Sequence, residues 1–214
     1  MNLVAGIGPY RRNGKGILTS NIAEAGGFLK SEAALERPDL QLHFAIGLVA
    51  DHGRDKSARY GFSCHVCVLR PKSRGSVGLA SADPLAPPRI DPAFLTHGED
   101  AKLLLRGVKM TLGILHQPAL APLRGANVFG EEGIPDEALM DLIRKRADTV
   151  YHPVGSCRMG NDQGAVVDSR LRVRGIERLR VADASIMPTL IGGNTNAASI
   201  MIGERAADFI RAAN

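Results

Sequence analysis

Two short polar segments of the chain carry residue types that could do chemistry. Residues 151–160 read Tyr-His-Pro-Val-Gly-Ser-Cys-Arg-Met-Gly, and residues 183–196 end in Gly-Gly-Asn-Thr-Asn. Imidazole changes its protonation near neutral pH, so His152 is a candidate general base. The proline that follows favours an extended backbone at position 152 and gives the imidazole a defined direction. A hydrogen-bonded structural histidine is the alternative interpretation of this residue.

The second segment ends directly before a small-residue helix predicted over 197–212. Asn194 and Asn196 flank Thr195 there, and asparagine is a common helix N-cap. One asparagine suffices for a cap, and a helix N-terminus also presents N–H groups and positive potential to an electron-rich oxygen or a phosphate. Asp183, at the start of the segment, suits either an Asx turn or a ligand contact.

The three cysteines offer a competing chemistry. Cys157 follows His152 by five residues, which would allow a thiolate and imidazole pair as in a cysteine hydrolase, but such pairs usually come from distant segments. Cys64 and Cys67 form a CxxC inside an apolar run that reads as a strand, where side chains three apart point to opposite faces. We therefore predict structural cysteines in a reducing compartment, and no metal site.

Composition narrows the function classes. A chain of 214 residues with 44% apolar and 23% charged residues can bury a substantial core. No apolar run is long enough to cross a bilayer and no secretion signal opens the sequence, so a cytoplasmic protein is expected. The net charge is +5, but 27 Lys and Arg are scattered among 22 Asp and Glu, and aromatics make up only 4%. This composition argues against nucleic-acid binding.

The elements that must position the polar segments follow from periodicity. Alternation and β-branched content predict three strands, at residues 40–50, 60–69 and 76–81. Apolar stripes with acidic first turns predict two helices before the C-terminal one, at residues 99–116 and 135–146. The charged side chains of these two helices are expected to contact solvent and to have a structural role only. Short connections favour antiparallel neighbours, so the expected fold class is α+β, an antiparallel sheet with helices on one face.

Three further segments have weaker patterns. The Gly-rich start, residues 1–37, is expected to be a loop followed by a short extended segment. The proline-rich residues 83–92 are expected to form a surface loop. In residues 171–182, apolar and charged side chains alternate on both sides of Gly175, as in a hairpin or a bent pair of strands.

Several motifs occur in order along the chain. They are Tyr-His-Pro-Val-Gly-Ser-Cys-Arg-Met-Gly, Leu-Arg-Val-Ala-Asp-Ala-Ser-Ile-Met-Pro-Thr, Gly-Asn-Thr-Asn-Ala and Met-Ile-Gly-Glu-Arg-Ala-Ala-Asp. Together they resemble the C-terminal part of the glucose–methanol–choline (GMC) family of flavin-dependent oxidoreductases. Upstream, Leu-Thr-Ser-Asn-Ile-Ala-Glu-Ala-Gly-Gly-Phe, Leu-Gln-Leu-His-Phe and Arg-Pro-Lys-Ser-Arg-Gly-Ser-Val resemble the substrate domain of its choline and alcohol dehydrogenase branch.

The resemblance implies oxidation of an alcohol to an aldehyde or ketone, with hydride passing to FAD. His152 matches the position of the base, and Asn194 matches the second active-site position, which holds the substrate oxygen. The positions that match residues lying against FAD are Asp183, Ala184, Thr195 and Asn196. A small alcohol is the implied substrate.

Members of this family begin with a strand, a GxGxxG turn and a helix that hold the ADP part of FAD, and the present sequence contains no GxGxxG. The resemblance therefore implies a connecting segment (1–36), a substrate-binding domain (37–150) and an active-site and flavin-closing segment (151–214), without the FAD-binding domain. We expect that domain to be a missing or separate partner, and the chain alone not to retain FAD. A non-catalytic remnant or interaction module is the alternative.

Overall fold

The computed structural model describes residues 3–48, 61–129 and 133–212. The chain divides into two compact units. The first comprises Met1–Val68 and Lys102–Ile143, and the second comprises Leu69–Ala101 and Arg144–Asn214. Helices and antiparallel strands are both present, which confirms the predicted α+β class.

A three-stranded antiparallel sheet organises the first unit. Its strands are β1 (Ala25–Leu29), β2 (Leu40–Ala45) and β3 (Ser63–Val68), in the order β1-β2-β3. β2 and β3 lie inside the two ranges predicted from alternation. The charged turn expected between them, at residues 51–56, lies outside the described residues.

One helix packs on this sheet through a glycine. Helix α2 (Gly98–Leu115) places Gly107 so close to the sheet that an added Cβ would lie 2.9 Å from both Leu40 and Val66. Leu40 is completely buried, and Leu40 and Val66 project from the same face of β2 and β3. Val108 and Leu112, which belong to the apolar stripe of this helix, are buried.

The expectation of a loop at the N-terminus is wrong for residues 3–13, whereas β1 is the short extended segment expected after it. Residues Leu3–Asn13 form helix α1 although Pro9 lies inside it. Gly6 lets the helix approach the following 3₁₀ turn (Ile17–Thr19) closely, since a Cβ at Gly6 would lie 2.6 Å from Ile17. Gly6 is buried at this contact, which local propensity does not reveal.

Strand β4 (Ser76–Gly78) forms a separate antiparallel pair with β5 (Arg89–Asp91) in the second unit. β5 lies within the segment expected to be a loop, so that prediction is wrong for its last residues. Pro84, Pro87 and Pro88 all lie between the two strands and leave the paired N–H groups intact.

Helices α3 (Asp136–Arg146) and α4 (Asn196–Arg211) agree with their predictions to within two residues. Residues 171–182 reverse direction as expected but pair only through isolated bridges, such as Arg172 with Arg180. Leu171 and Arg178 have positive φ angles of 65° and 60°, which interrupt an extended strand. Within the described residues, no helix is long and apolar enough to cross a membrane.

The charged residues in the first turn of α2 were expected to contact only solvent, but Asp100 is buried. Its carboxylate is 4% exposed and accepts hydrogen bonds from the backbone N–H groups of Lys72 and Ser73 and from the Ser73 hydroxyl. Burial alone would raise the pKa of this carboxyl, but these hydrogen bonds outweigh it and hold the pKa below its usual value. Asp100 therefore fastens the loop before β4 to the start of the helix.

Cys64 and Cys67 lie on β3, as the CxxC analysis predicted, and pair across to Phe44 and Gln41 of β2. Both thiols are free and half-buried, and burial raises the pKa of each. A raised thiol pKa disfavours the reactive thiolate. Over the described ranges, no group of three or more His, Cys, Asp or Glu side chains is arranged to hold a metal ion.

Candidate active site

Backbone hydrogen bonds bring the two polar segments together in the second unit. The N–H of Cys157 donates to the carbonyl of Ser185 at 3.0 Å, and the N–H of Met159 donates to the carbonyl of Ile186 at 2.7 Å. Gly155 has a φ of 87°, and an added Cβ there would lie 3.3 Å from the carbonyl oxygen of Met187. The glycine in this motif is thus required by a left-handed turn next to a close backbone neighbour.

Apolar packing beneath these segments fixes the helix that follows them. The core of the second unit contains buried residues of the bridged loops and of α4: Val167, Leu171, Ile186, Met187, Ile202 and Ala206. Ile202 and Ala206 are four positions apart on one face of α4. Their burial holds α4 against the loops, so residues at its N-terminus have a defined position.

His152 lies between the side chains of Thr195 and Asn194. Its Nδ1 is 2.8 Å from the Thr195 hydroxyl oxygen, and its Nε2 is 3.0 Å from Nδ2 of Asn194. His152 is half-buried, Thr195 is buried and Asn194 is exposed. The structure therefore brings together the two residues matched to catalytic positions, although 42 positions separate them in the sequence.

The backbone before His152 is held in an uncommon conformation. Tyr151 has a φ of 66°, and its N–H donates to the Thr149 hydroxyl at 2.9 Å. A left-handed conformation costs a non-glycine residue about 1–2 kcal/mol, and such strain concentrates at functional sites. Together with Pro153, this turn sets the direction in which the imidazole of His152 leaves the chain.

The loop that carries Asn194 is held by a close contact at Gly192. The guanidinium of Arg70 lies so near Gly192 that an added Cβ would displace it. The glycine at position 192 is therefore explained by its packing against Arg70. The sequence motif contained this glycine, but nothing in it pointed to Arg70.

Asp183 and Ala184 form a tight turn in the second polar segment. The carboxylate of Asp183 accepts a hydrogen bond from the N–H of Ser185 at 2.7 Å and caps a 3₁₀ turn over Ala184–Ile186. Asp183 thus forms the Asx turn that the sequence suggested. Asp183 is exposed and Ala184 is half-buried with a small side chain, so a ligand can also approach this turn.

The N-terminus of α4 differs from the expected asparagine cap. Asn196 is the first helical residue, and Thr195 occupies the N-cap position without capping the helix through its side chain. The first-turn N–H groups and the exposed side chain of Asn196 therefore form a donor set that suits an electron-rich oxygen of a ligand.

The cysteine hydrolase interpretation gains no support. Among the described residues, the ring nitrogens of His152 lie against Asn194 and Thr195 rather than the sulfur of Cys157. The backbone of Cys157 pairs with Ser185, which gives this residue a structural role in joining the loops.

A separate depression lies on the sheet of the first unit. It has a volume of about 320 Å³ and is lined by residues 23–28 and by Gln41, Leu42 and His43. Phe28 is half-exposed there. The lining residues belong to the Leu-Thr-Ser-Asn-Ile-Ala-Glu-Ala-Gly-Gly-Phe and Leu-Gln-Leu-His-Phe motifs that resemble the family's substrate domain, but neither motif assigns a role to an individual side chain.

Comparison with known proteins places this geometry in a family. The family model described as GMC oxidoreductase matches residues 71–203, the C-terminal region of such proteins. An alcohol dehydrogenase [acceptor] of Pseudomonas putida is 48% identical over 97% of this chain and 38% of its own length. An oxygen-dependent choline dehydrogenase of Escherichia coli is 44% identical over 92% of this chain and 35% of its own length.

Solved structures agree with the sequence relatives. A formate oxidase variant of Aspergillus oryzae superposes with a TM-score of 0.87 at 25% identity, over 99% of this chain and 42% of that one. Pyridoxine 4-oxidase from Mesorbium loti superposes with a TM-score of 0.79 at 30% identity, over 87% of this chain and 37% of that one.

The fold and the two joined motifs are those of the C-terminal region of GMC oxidoreductases. The chain belongs to the GMC oxidoreductase family, whose members are FAD-dependent, and corresponds to the C-terminal region of its alcohol and choline dehydrogenase relatives. It spans little more than a third of the length of the two dehydrogenases it matches.

Proposed function

We propose that this chain supplies the substrate-activating part of an FAD-dependent enzyme that oxidises a small alcohol to an aldehyde or ketone. The observation that carries the proposal is the contact of His152 with Asn194, at 3.0 Å between Nε2 and Nδ2. A base and an amide this close can both reach one substrate oxygen, which is what alcohol oxidation requires of the protein.

His152 is the proposed base, and its Nε2 accepts the proton of the substrate hydroxyl. A productive base lies roughly 2.6–3.2 Å from the oxygen whose proton it removes. Asn194 is the proposed second catalytic residue, since its amide N–H can donate to the same oxygen as negative charge develops there. An amide cannot take the proton at neutral pH, so the two residues have different roles.

The residues assigned to FAD fit a group of that kind. The uncapped start of α4 offers backbone N–H donors and the amide of Asn196, and the small side chain of Ala184 permits close approach. Asp183 uses one carboxylate oxygen to cap its turn and keeps further acceptor capacity. When bound, FAD supplies the acceptor for the two electrons that leave the alcohol.

The proposed partner of this chain is an FAD-binding half. Helix α4 supports this proposal, because Ile200 and Met201 are 59% and 54% exposed on the helix whose Ile202 is buried. Apolar residues exposed in this way are typical of a surface that another protein part covers. Because most FAD contacts would lie on that partner, we predict that the chain alone is purified without flavin.

The three free cysteines support a reducing compartment, and we propose the cytoplasm.

A chimera tests the proposed function. The chain would replace the matching 208 residues of the Pseudomonas putida alcohol dehydrogenase, to which it is 48% identical, so that a complete FAD-binding part is present. Anaerobic addition of small primary alcohols should bleach the flavin absorbance of the purified chimera. The Cys157→Ser chimera is the matched control and should bleach as well. A folded, flavin-loaded chimera that no alcohol reduces would contradict the proposal.

A further inference from the structure

We propose that Thr195 is a positioning residue that holds the neutral imidazole of His152 with its proton on Nδ1, leaving Nε2 free of a proton. The inference rests on the proposed function for its catalytic meaning, because it states which nitrogen acts as the base. It concerns the side chain of Thr195, whereas the assignment to FAD concerns the helix start on which that residue lies.

The hydroxyl of Thr195 is directed to the imidazole instead of to its own helix. Threonine at an N-cap position usually accepts a hydrogen bond from the first turn, which stabilises a helix by about 1 kcal/mol. Here the side chain makes no such bond, and its oxygen lies 2.8 Å from Nδ1 of His152. Thr195 is only 8% exposed, so a hydroxyl without a protein partner would be costly at this position.

The side chain next to Nε2 of His152 decides which ring nitrogen carries the proton. Nδ2 of Asn194, which can only donate, lies 3.0 Å from Nε2 of His152. With the amide in this orientation Nε2 is the acceptor, and the single proton of the neutral ring is on Nδ1. Nδ1–H then donates to the Thr195 hydroxyl oxygen, which has lone pairs to accept it.

The position of the Thr195 hydroxyl is set by a rigid element. The carbonyl of Thr195 accepts hydrogen bonds from both the N–H and the hydroxyl of Ser199, each at 2.9 Å. One turn further on, Ile202 is buried in the core. Helix α4 thus fixes the hydroxyl, whereas Asn194 lies on the exposed loop before it. A rigid partner on Nδ1 allows Asn194 to turn toward a substrate without loss of the correct tautomer.

Nitrogen NMR of the purified 214-residue chain measures the tautomer directly and needs no flavin. Long-range proton–nitrogen spectra of a ¹⁵N-labelled sample, recorded at mildly alkaline pH, distinguish a protonated from an unprotonated ring nitrogen. His152→Gln assigns the signals among the six histidines. We expect a protonated Nδ1 and an unprotonated Nε2 for His152. A protonated Nε2 in the unsubstituted chain would overturn the proposal.

Two substitutions test whether Thr195 is the cause. Thr195→Val keeps the shape but removes the hydroxyl, so a proton on Nδ1 would have no acceptor in this half-buried position. The amide of Asn194, on its exposed loop, can turn its oxygen toward a proton on Nε2, and we therefore expect a mixture of both tautomers. Thr195→Ser keeps a hydroxyl and should restore the Nδ1–H form. Backbone spectra that match the unsubstituted chain show that each variant is folded. A His152 that keeps its Nδ1 proton in Thr195→Val would refute the role of Thr195.

The chimera separates this inference from the proposed function. Thr195→Val should lower kcat for flavin reduction roughly 10- to 100-fold with little change in KM, and Thr195→Ser should recover part of the loss. If the chimera never reacts with alcohols while His152 shows the Nδ1–H form, the proposed function fails and the positioning role stands. If the chimera is active and the NMR shows a protonated Nε2, the positioning role fails alone.

Discussion

The sheet of the first unit and the paired loops of the second are stabilised by different means. Strand β2 has Leu40 completely buried and Leu42 nearly so, and its neighbours pair with it in regular register. The loops that carry His152 and Asn194 pair through single backbone hydrogen bonds, and the loop of His152 contains residues with positive φ. The sheet thus depends on burial of apolar side chains, whereas the site depends on backbone conformation and on individual polar contacts.

This difference predicts different consequences of substitution. A change in the sheet should appear mainly as a loss of stability, because many apolar atoms lose contacts at once. A change in the loops should appear mainly as a loss of turnover, because few atoms are involved but their positions matter for catalysis. The substitutions below test this separation, in order of the expected size of effect.

The largest effect is expected at His152. In the chimera, His152→Ala should lower the rate of anaerobic flavin reduction by about 10²–10⁴-fold, the usual contribution of a general base. Flavin content should change little, because His152 is assigned to the alcohol and not to the cofactor. Rapid-mixing absorbance measures the rate, and Asn194→Ala should cost less because its amide only donates. A near-normal rate in His152→Ala would exclude this residue as the base.

The second-largest effect is expected in the sheet, as a loss of stability. Leu40→Ala should lower the free energy of unfolding by about 2–5 kcal/mol, since Leu40 is completely buried. Gly107→Ala should also destabilise, by about 1–3 kcal/mol, because its new Cβ would lie 2.9 Å from Leu40. Urea unfolding followed by circular dichroism measures both.

The double substitution sharpens this test. Removal of the Leu40 side chain makes space for the new methyl group, so Gly107→Ala should cost less in Leu40→Ala than in the unsubstituted chain. Strictly additive losses would show that the helix and the sheet do not contact each other as described.

A smaller effect is expected at Asp100. Its pKa is lower in the folded state, so its contribution to stability is complete above the unfolded-state pKa, near 4, and is lost as the pH falls through the folded value. Asp100→Asn should therefore lower the free energy of unfolding at pH 7 by about 2 kcal/mol. The loss should become smaller on acidification. An equal loss at pH 7 and at pH 3 would argue against the charge of Asp100 as the cause.

Regular elements were predictable from the sequence because their pattern is local. The alternation of β2 and the apolar stripe of α2 reflect one-sided burial, and both elements lie where the periodicity indicated. Helix α1 was missed because it depends on the contact of Gly6 with Ile17, which composition does not reveal. Strand β5 was missed because, among the described strands, it pairs with β4 alone, across a segment rich in proline.

The site was predictable only as far as its motifs extended. The family motifs indicated His152 and Asn194, and the structure places them in contact. The Thr195 hydroxyl was not recognised as a partner of His152, because threonine before a helix is ordinarily interpreted as a cap. Arg70 was also missed, since its proximity to Gly192 results from tertiary packing between segments far apart in the chain.

The smallest effects are expected at two glycines that share a backbone conformation but differ in their surroundings. Gly155 and Gly175 have φ angles of 87° and 78°, so an alanine at either position should cost about 1 kcal/mol through strain alone. An added Cβ meets the carbonyl oxygen of Met187 at 3.3 Å in Gly155 and no atom within 4 Å in Gly175.

Gly175→Ala is therefore the matched control for Gly155→Ala, and both are measured in the chimera. Both should lower the thermal midpoint slightly, but only Gly155→Ala should also slow flavin reduction, because its methyl group pushes the loop of His152 away from Met187. Equal rates in the two variants would show that the close approach of the loops at Gly155 does not help to position the base. The loops would then resemble the sheet, in that their contacts would serve stability alone.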